Sequence, residues 1–113
     1  MIDSMRVAAI QQLVSPDRQK NIRTGLDNLS RAADLGASLV CFSELAFEPF
    51  YPQFRLSGQD RAFAEPIPGP TTDTFQEVAS RLGVVTVINL YERGETACYD
   101  SSAVIDADGP CWE

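Results

Sequence analysis

The sequence predicts an α/β fold with the element order β-α-β-loop-α-β-β. Two short apolar runs, 6–12 and 38–42, flank one amphipathic segment, and this arrangement is typical of a βαβ unit with parallel strands and a right-handed crossover. A second amphipathic segment leads into the β-branched run 84–90, which predicts a central strand, and a last strand is predicted over 97–106. With 113 residues the chain forms one domain at most.

Both helices show start and stop signals. The first is predicted from the Ser-Pro-Asp sequence at 15–17 to about Leu35, before Gly36. The second is predicted from Thr71 or Thr72 to Leu82, before Gly83. Each carries one apolar stripe that we expect to face the sheet. The stripes are Ile22, Leu26, Leu29 and Ala33 in the first helix and Phe75, Val78, Ala79 and Leu82 in the second.

A glutamate follows the second strand directly. The apolar run from Ser38 to Phe42 predicts a strand buried on both faces, and Ser43 and Glu44 come next. Open α/β sheets bind ligands at the carboxyl ends of their parallel strands, so Glu44 is predicted at the mouth of a site. The alternative from sequence context alone is a capping or surface acid at a strand end.

Residues 45–70 have no clean periodicity and hold five of the seven prolines. A loop of this length in a compact domain is usually functional. A helical turn is predicted around 54–63, and 65–70 is predicted to be extended because residues before proline avoid the α region. Phe50 and Tyr51 are candidates for lining a substrate pocket, with packing of the loop as the alternative. Glu48 is interpreted as a solvated loop carboxylate rather than a second acid of the site.

Composition and charge argue against several classes of function. The formal net charge is −7, which disfavours nucleic acid or an anionic membrane as a partner. The sequence has no transmembrane run and no signal-peptide pattern, so we expect a cytoplasmic location. It has no histidine and no Cys-x-x-Cys pair, so we expect no metal and no cofactor. Cys41, Cys98 and Cys111 are interpreted as small apolar core residues in a reducing compartment.

Six motifs occur in a specific order along the chain. They are RVAAIQ at 6–11, FSEL at 42–45, AEPIPGPTT at 64–72, LGVV at 82–85, NLYER at 89–93 and YDSSAVIDADG at 99–109. Together they resemble the N-terminal part of the nitrilase, or carbon–nitrogen hydrolase, superfamily. Asp100 stands where that superfamily usually has asparagine. The aromatic loop EPFYPQF is most similar to N-carbamoyl amino acid amidohydrolases and aliphatic amidases.

The resemblance implies a fold and a chemistry. The fold is the N-terminal half of an α-β-β-α sandwich, so residues 1–113 are expected to be the N-terminal portion of a carbon–nitrogen hydrolase domain. The chemistry is hydrolysis of non-peptide C–N bonds in small amide, N-carbamoyl or nitrile substrates by a Glu-Lys-Cys triad, with Glu44 as the general base. The family's lysine and cysteine would lie beyond this sequence, whose only lysine is Lys20, so we expect the chain alone to be inactive.

Cys41 is disfavoured as a substitute nucleophile. It lies three residues before Glu44, and three steps along a strand reverse the direction of the side chain. Two other interpretations stay open: a non-catalytic interaction module, and a generic α/β domain that binds a small molecule at the Glu44 mouth. Glu92 and Arg93 are interpreted as an ordinary pair beside a turn.

The tail from Gly109 to Glu113 departs from the pattern of the family. This departure favours the hypothesis that a frameshift or an early stop ended the reading frame just past Gly109, with a deliberate fragment or a genuine short protein as alternatives. In a truncated sandwich the sheet face meant for the second sheet would be bare. We therefore expect aggregation, self-association as a homo-oligomer, or a poorly ordered state.

Overall fold

The computed structural model describes residues 4–49 and 63–112 and confirms the α/β class and the predicted order of elements. The helices are α1 (Arg18–Asp34) and α2 (Pro70–Leu82). The strands are β1 (Val7–Ile10), β2 (Leu39–Phe42), β3 (Val85–Arg93), β4 (Cys98–Ile105) and β5 (Cys111–Trp112). The sequence did not predict β5, a two-residue strand that pairs antiparallel with the end of β4.

The strands form one mixed sheet in the order β1-β2-β3-β4-β5. The first three strands are parallel, as the βαβ pattern predicts, and β3 is central. After β3 the chain reverses at Gly94, whose amide donates to the Ala97 carbonyl at 2.8 Å, and β4 returns antiparallel. β1 and β2 are only four residues long, whereas β3 has nine residues. The chain therefore leaves the sheet after Phe42, and β3 extends beyond that point.

Both helices pack against one face of the sheet. Along β3 the side chains alternate, so that Thr86, Ile88 and Leu90 are buried in this helical face and the residues between them are half-buried. The opposite face, which we call the open face, carries Val7, Cys41, Val87, Val104 and Trp112, among others. Three of these apolar side chains are strongly exposed: Val7 at 52%, Val104 at 39% and Trp112 at 64%.

The one-sided packing corrects two expectations from the sequence. Val40 and Phe42 of β2 are buried, but Cys41 between them is exposed, so β2 is not buried on both faces. Cys98 and Cys111 are half-buried, so the interpretation of the cysteines as core residues is wrong for Cys41. The physical reason is the same in both cases, since among the described elements the helices cover only one side of the sheet.

The buried face of α1 is rotated from the predicted stripe. Ile22 and Leu29 are buried as predicted, but Leu26 is half-buried, whereas Asn21 and Gly25 are fully buried. A Cβ atom on Gly25 would lie 2.7 Å from Cε1 of Phe47, so glycine permits the ring to touch the helix backbone. The apolar pattern could not show this contact, because it depends on a missing side chain.

The start of α2 also differs from the prediction. Phe75 and Ala79 are buried as predicted, with Thr71 and Thr72 buried beside them in the first turn. Thr72 Oγ1 accepts a hydrogen bond from the Gly69 amide at 2.7 Å, which caps the helix. The expected extended run over 65–70 holds only in part: residues 67–69 bend and Pro70 already begins the helix, although the backbone of Gly69 itself is extended. Of the helical turn predicted around 54–63, residues 54–62 lie outside the described residues.

Neither helix meets the requirements of length and hydropathy for crossing a membrane within the described ranges.

We expect Gly25→Ala to destabilise the chain by about 1–2 kcal/mol. The new methyl group would press on the Phe47 ring, and overpacking of this kind costs about 1–3 kcal/mol, only partly offset by about 1 kcal/mol from the higher helix propensity of alanine. Urea denaturation measures the change. Ser30→Ala in the same helix is the control, and a Gly25→Ala variant as stable as this control would contradict the packing described here.

We expect the open face to drive self-association of the purified chain. Val104→Glu places a charge in the middle of this face and should shift the chain toward monomer, because a carboxylate resists desolvation. Light scattering after size exclusion, over a range of concentrations, measures the effect. Leu13→Glu makes the same change in charge at a 96% exposed residue outside the strands, and equal behaviour of the two variants would argue against the open face.

Candidate active site

Glu44 lies just beyond the carboxyl end of β2, as predicted, and its side chain is exposed. The strand ends at Phe42, and the residues from Glu44 onward form a turn. Within this turn Leu45 adopts a φ of 48°, in the left-handed region that a bulky side chain disfavours. Its amide donates to Oδ1 of Asn89 on β3 at 2.8 Å, so a specific hydrogen bond holds the strained residue.

A second anchor holds the segment on the helical face of the sheet. The ring of Phe47 stacks on Phe75 of α2 with 5.0 Å between ring centroids and lies 5.5 Å from the ring of Phe42. Its carbonyl accepts a hydrogen bond from Nδ2 of Asn21 on α1 at 2.9 Å. The turn that bears Glu44 is therefore fixed at Leu45 and again two residues later.

The carboxyl group of Glu44 meets the carboxyl group of Asp100 on β4. The β3–β4 register places Asp100 opposite Tyr91, one step along the same face from the pair of Asn89 and Ser102. The hydrogen bond to Asp100, its negative charge and a small loss of hydration all raise the pKa of Glu44. Two carboxyl groups form a hydrogen bond only when one of them carries a proton.

Cys41 and Glu44 are not set on opposite faces by the alternation of side chains along a strand, contrary to the prediction. Side chains alternate only within a strand, and β2 ends at Phe42, two residues before Glu44. Cys41 and Asp100 both belong to the open face, where Glu44 meets Asp100. Lys20 is exposed on α1, and the sheet separates that helix from the open face.

Glu48 is not the solvated carboxylate that the sequence suggested. It is only 8% exposed, and its Oε1 atom lies 2.8 Å from Nη1 of Arg18. The contact is an ion pair without the alignment of a hydrogen bond, because this oxygen has no hydrogen-bond donor in the described structure. Burial raises the pKa of Glu48, Arg18 opposes this effect, and the negative charge of Glu65 adds to it.

Glu65 is the second carboxylate bound to Arg18. The guanidinium contacts Oε2 of Glu65, whose two oxygens also accept hydrogen bonds from the amide and hydroxyl of Thr71 at 2.9 and 2.8 Å. A carboxylate is favoured here because the amide belongs to the first turn of α2. The backbone of Glu65 pairs with the end of β3 through the Tyr91 carbonyl and the Arg93 amide. Arg18 thus joins Glu48 to Glu65, which precede and follow residues 50–62 in the sequence.

Of the remaining candidates, two make structural contacts and two lie outside the described residues. Glu92 accepts a hydrogen bond from Ser101 Oγ at 2.7 Å, and Arg93 donates to the Ala64 carbonyl at 2.6 Å. They belong to the end of β3, which runs three residues past its predicted limit, and are not merely a pair beside a turn. Phe50 and Tyr51 lie outside the described residues. Across 4–49 and 63–112, no cluster of three or more His, Cys, Asp or Glu side chains could hold a metal ion.

The family model for carbon-nitrogen hydrolases matches residues 6–111, nearly the whole chain. This chain belongs to the carbon–nitrogen hydrolase family. The N-carbamoylputrescine amidase of Solanum lycopersicum is 39% identical over 107 residues, which are 91% of this chain and 34% of that enzyme. The expected resemblance to the nitrilase superfamily is confirmed.

Solved structures support the fold of this chain. A carbon-nitrogen hydrolase from Helicobacter pylori G27 superposes with a TM-score of 0.84 at 20% identity, covering 95% of this chain and 37% of that one. A double mutant of the amidase from Nesterenkonia sp. AN1, in complex with acrylamide, gives a TM-score of 0.72 at 21% identity, covering 96% and 41%. The chain spans about a third of the length of the curated relatives it matches.

Sequence reasoning missed three residues that shape the candidate site. Asp100 carried a signal, because it replaces the asparagine usual in the family, but its contact with Glu44 depends on strand register. Asn89 carried none, since an asparagine inside a strand shows nothing of the amide that it binds. Arg18 carried no signal of its partners, although it is the counter-ion of two carboxylates.

We expect Arg18→Gln to destabilise the chain by about 3 kcal/mol at neutral pH, because it leaves Glu48 and Glu65 without a counter-ion. Arg18 lowers the pKa of Glu48, so this pKa rises further in the variant. A carboxyl group with a raised pKa in the folded state favours folding at acidic pH, and this contribution is lost as the pH rises through that pKa. The defect should therefore shrink as the pH is lowered.

Chemical denaturation across a pH series measures this dependence. The control is Arg23→Gln, which removes an exposed arginine from the same helix. A loss of stability equal to that of the control, or one that does not change with pH, would contradict the assigned ion pairs.

Proposed function

We propose that Glu44 is the general base for hydrolysis of a small amide or N-carbamoyl compound, and that residues 1–113 represent the N-terminal portion of the hydrolase domain. The observation that carries the proposal is the position of this carboxyl group. It is exposed at the carboxyl end of β2, on a turn held by the Leu45–Asn89 hydrogen bond and by the packing of Phe47. Ligands of open α/β sheets bind at such ends.

The role of a base explains why the carboxyl group must be exposed and fixed. The resemblance implies a thiol that loses its proton to Glu44 and attacks the carbonyl carbon, which expels the amine and leaves a thioester. The proton leaves with the amine, and Glu44 then accepts a proton from the water that cleaves the thioester. A lysine ammonium would stabilise the negative oxygen in both steps. Within this sequence Lys20 is separated from the open face by the sheet, so we propose that other residues supply the ammonium and the thiol.

Two relatives support the substrate class. The tomato relative is named an N-carbamoylputrescine amidase, and structures of the Nesterenkonia amidase hold acrylamide or butyramide. These small molecules share a planar carbonyl carbon bonded to nitrogen, the centre on which the proposed chemistry acts. We therefore propose a small amide or carbamoyl compound rather than a peptide.

A non-catalytic interaction module is the second candidate function. The open face favours it, because Val104 and Trp112 are exposed there and offer a surface for a partner. In that case the chain would bind a complete homologue stably, and Glu44→Gln would leave the binding unchanged.

The proposed base is tested by grafting residues 6–111 into the tomato enzyme in place of the segment they match. The graft should hydrolyse N-carbamoylputrescine, and Glu44→Gln should lower its kcat by about 10²–10⁴-fold, because an amide cannot accept the proton. The 113-residue chain by itself should show no turnover of the same substrate or of butyramide.

Glu77→Gln is the matched control, since it makes the same change at an exposed residue of α2. An active graft whose activity survives Glu44→Gln would overturn the assignment of the base. Turnover by the isolated chain would overturn the proposal that other residues complete the triad.

A further inference from the structure

Hydrogen bonds between the strands, and the register of β3 and β4, bring Asp100 close to Glu44. The Leu45 amide donates to Asn89 Oδ1 at 2.8 Å, and Asn89 Nδ2 donates to Ser102 Oγ at 3.2 Å. This chain of hydrogen bonds ties the residue after Glu44 across β3 to β4. Asp100 lies two residues from Ser102 on the same strand, and therefore on the same face.

We propose that Asp100 is a positioning residue for Glu44: the two carboxyl groups share one proton through a hydrogen bond, and Asp100 thereby sets the orientation of the base and the pH above which it can act. The inference rests on the proposed role of Glu44 as the base. It adds that the acidic partner keeps the base protonated to a higher pH than an isolated glutamate would show.

The charges around the pair explain why it retains a proton. Both carboxyl groups are exposed, and with both ionised they would repel each other and lose their hydrogen bond. The titratable neighbours from the other strands are Cys41 on β2 and Tyr91, which lies opposite Asp100 on β3. Arg93, at the end of β3, donates to the Ala64 carbonyl at 2.6 Å.

Protonation of the pair limits the base in a definite direction. The shared proton occupies the oxygen that must accept the proton of the thiol, so catalysis needs the singly protonated pair to lose its proton. The pKa of Glu44 is raised by Asp100, so this loss occurs at a higher pH than for Glu44 alone. An amide at position 100 carries no charge and can donate a hydrogen bond to the ionised Glu44, which lowers the pKa of the base.

The test is a pH titration of the complete 113-residue chain by NMR, following the side-chain carboxyl carbons of Glu44 and Asp100. In the unmodified chain the Glu44 signal should titrate above the ordinary range of a glutamate side chain. In Asp100→Asn the midpoint of Glu44 should move to lower pH.

Asp108→Asn is the matched control, because it removes an exposed carboxylate beyond the opposite end of β4. An unchanged Glu44 midpoint in Asp100→Asn, or an equal shift in Asp108→Asn, would overturn the shared proton. Asp100→Ser, which also removes the carboxylate, should lower the Glu44 midpoint in the same way and gives a second decision if Asp100→Asn does not fold. The titration measures protonation and requires no hydrolysis, so it tests the shared proton alone. Failure of the proposed base role would appear only in the activity of the graft, and the two failures are therefore distinguishable.

Discussion

The bend after β2 is the constraint on which the candidate site depends. Within three residues the chain is held on both sides of the sheet: the Leu45 amide binds Asn89 on the open face, and Phe47 packs against the helices. The left-handed backbone of Leu45 costs on the order of 1–3 kcal/mol. Burial of the Phe47 ring contributes about 1.5–3 kcal/mol, which is enough to hold the strained turn. Glu44 precedes the strained residue and is therefore presented at the strand end.

Arg18 fixes a second part of the same region, where charge rather than apolar packing decides the arrangement. One guanidinium pairs with the two carboxylates of Glu48 and Glu65. These three largely buried side chains together therefore carry an excess of negative charge. Buried ion pairs add little to stability compared with apolar packing, but removal of one partner is costly. The network therefore specifies a position more than it strengthens the fold: Glu65 stays beside β3 and α2, and Glu48 stays beside α1.

The fold was predictable to the extent that it depends on periodicity. Apolar runs and glycine stops located both helices and four strands, and the motif order identified the family. The errors concern contacts that periodicity cannot encode. Gly25 is buried because it lacks a side chain, Cys41 is exposed because its strand is covered on one side, and Glu48 is buried because it meets an arginine thirty residues earlier in the chain. The position of Glu44 was readable from its strand, whereas its contact with Asp100 required the register of β3 and β4.

The open face carries both the exposed apolar side chains of this chain and its neighbouring carboxyl groups. Val87 and Val104 lie opposite each other on that face, and farther along the same two strands Asn89, Ser102 and Asp100 lead to Glu44. Anything that covers the apolar part also withdraws water from the neighbouring acids, and a lower dielectric strengthens both their repulsion and their preference for a shared proton. Protonation of Glu44 is thus physically coupled to whatever occupies the face. A covering segment that brings a cation to the pair would reverse the effect, because a positive charge favours the ionised carboxylate. The family's lysine has the charge that this reversal requires.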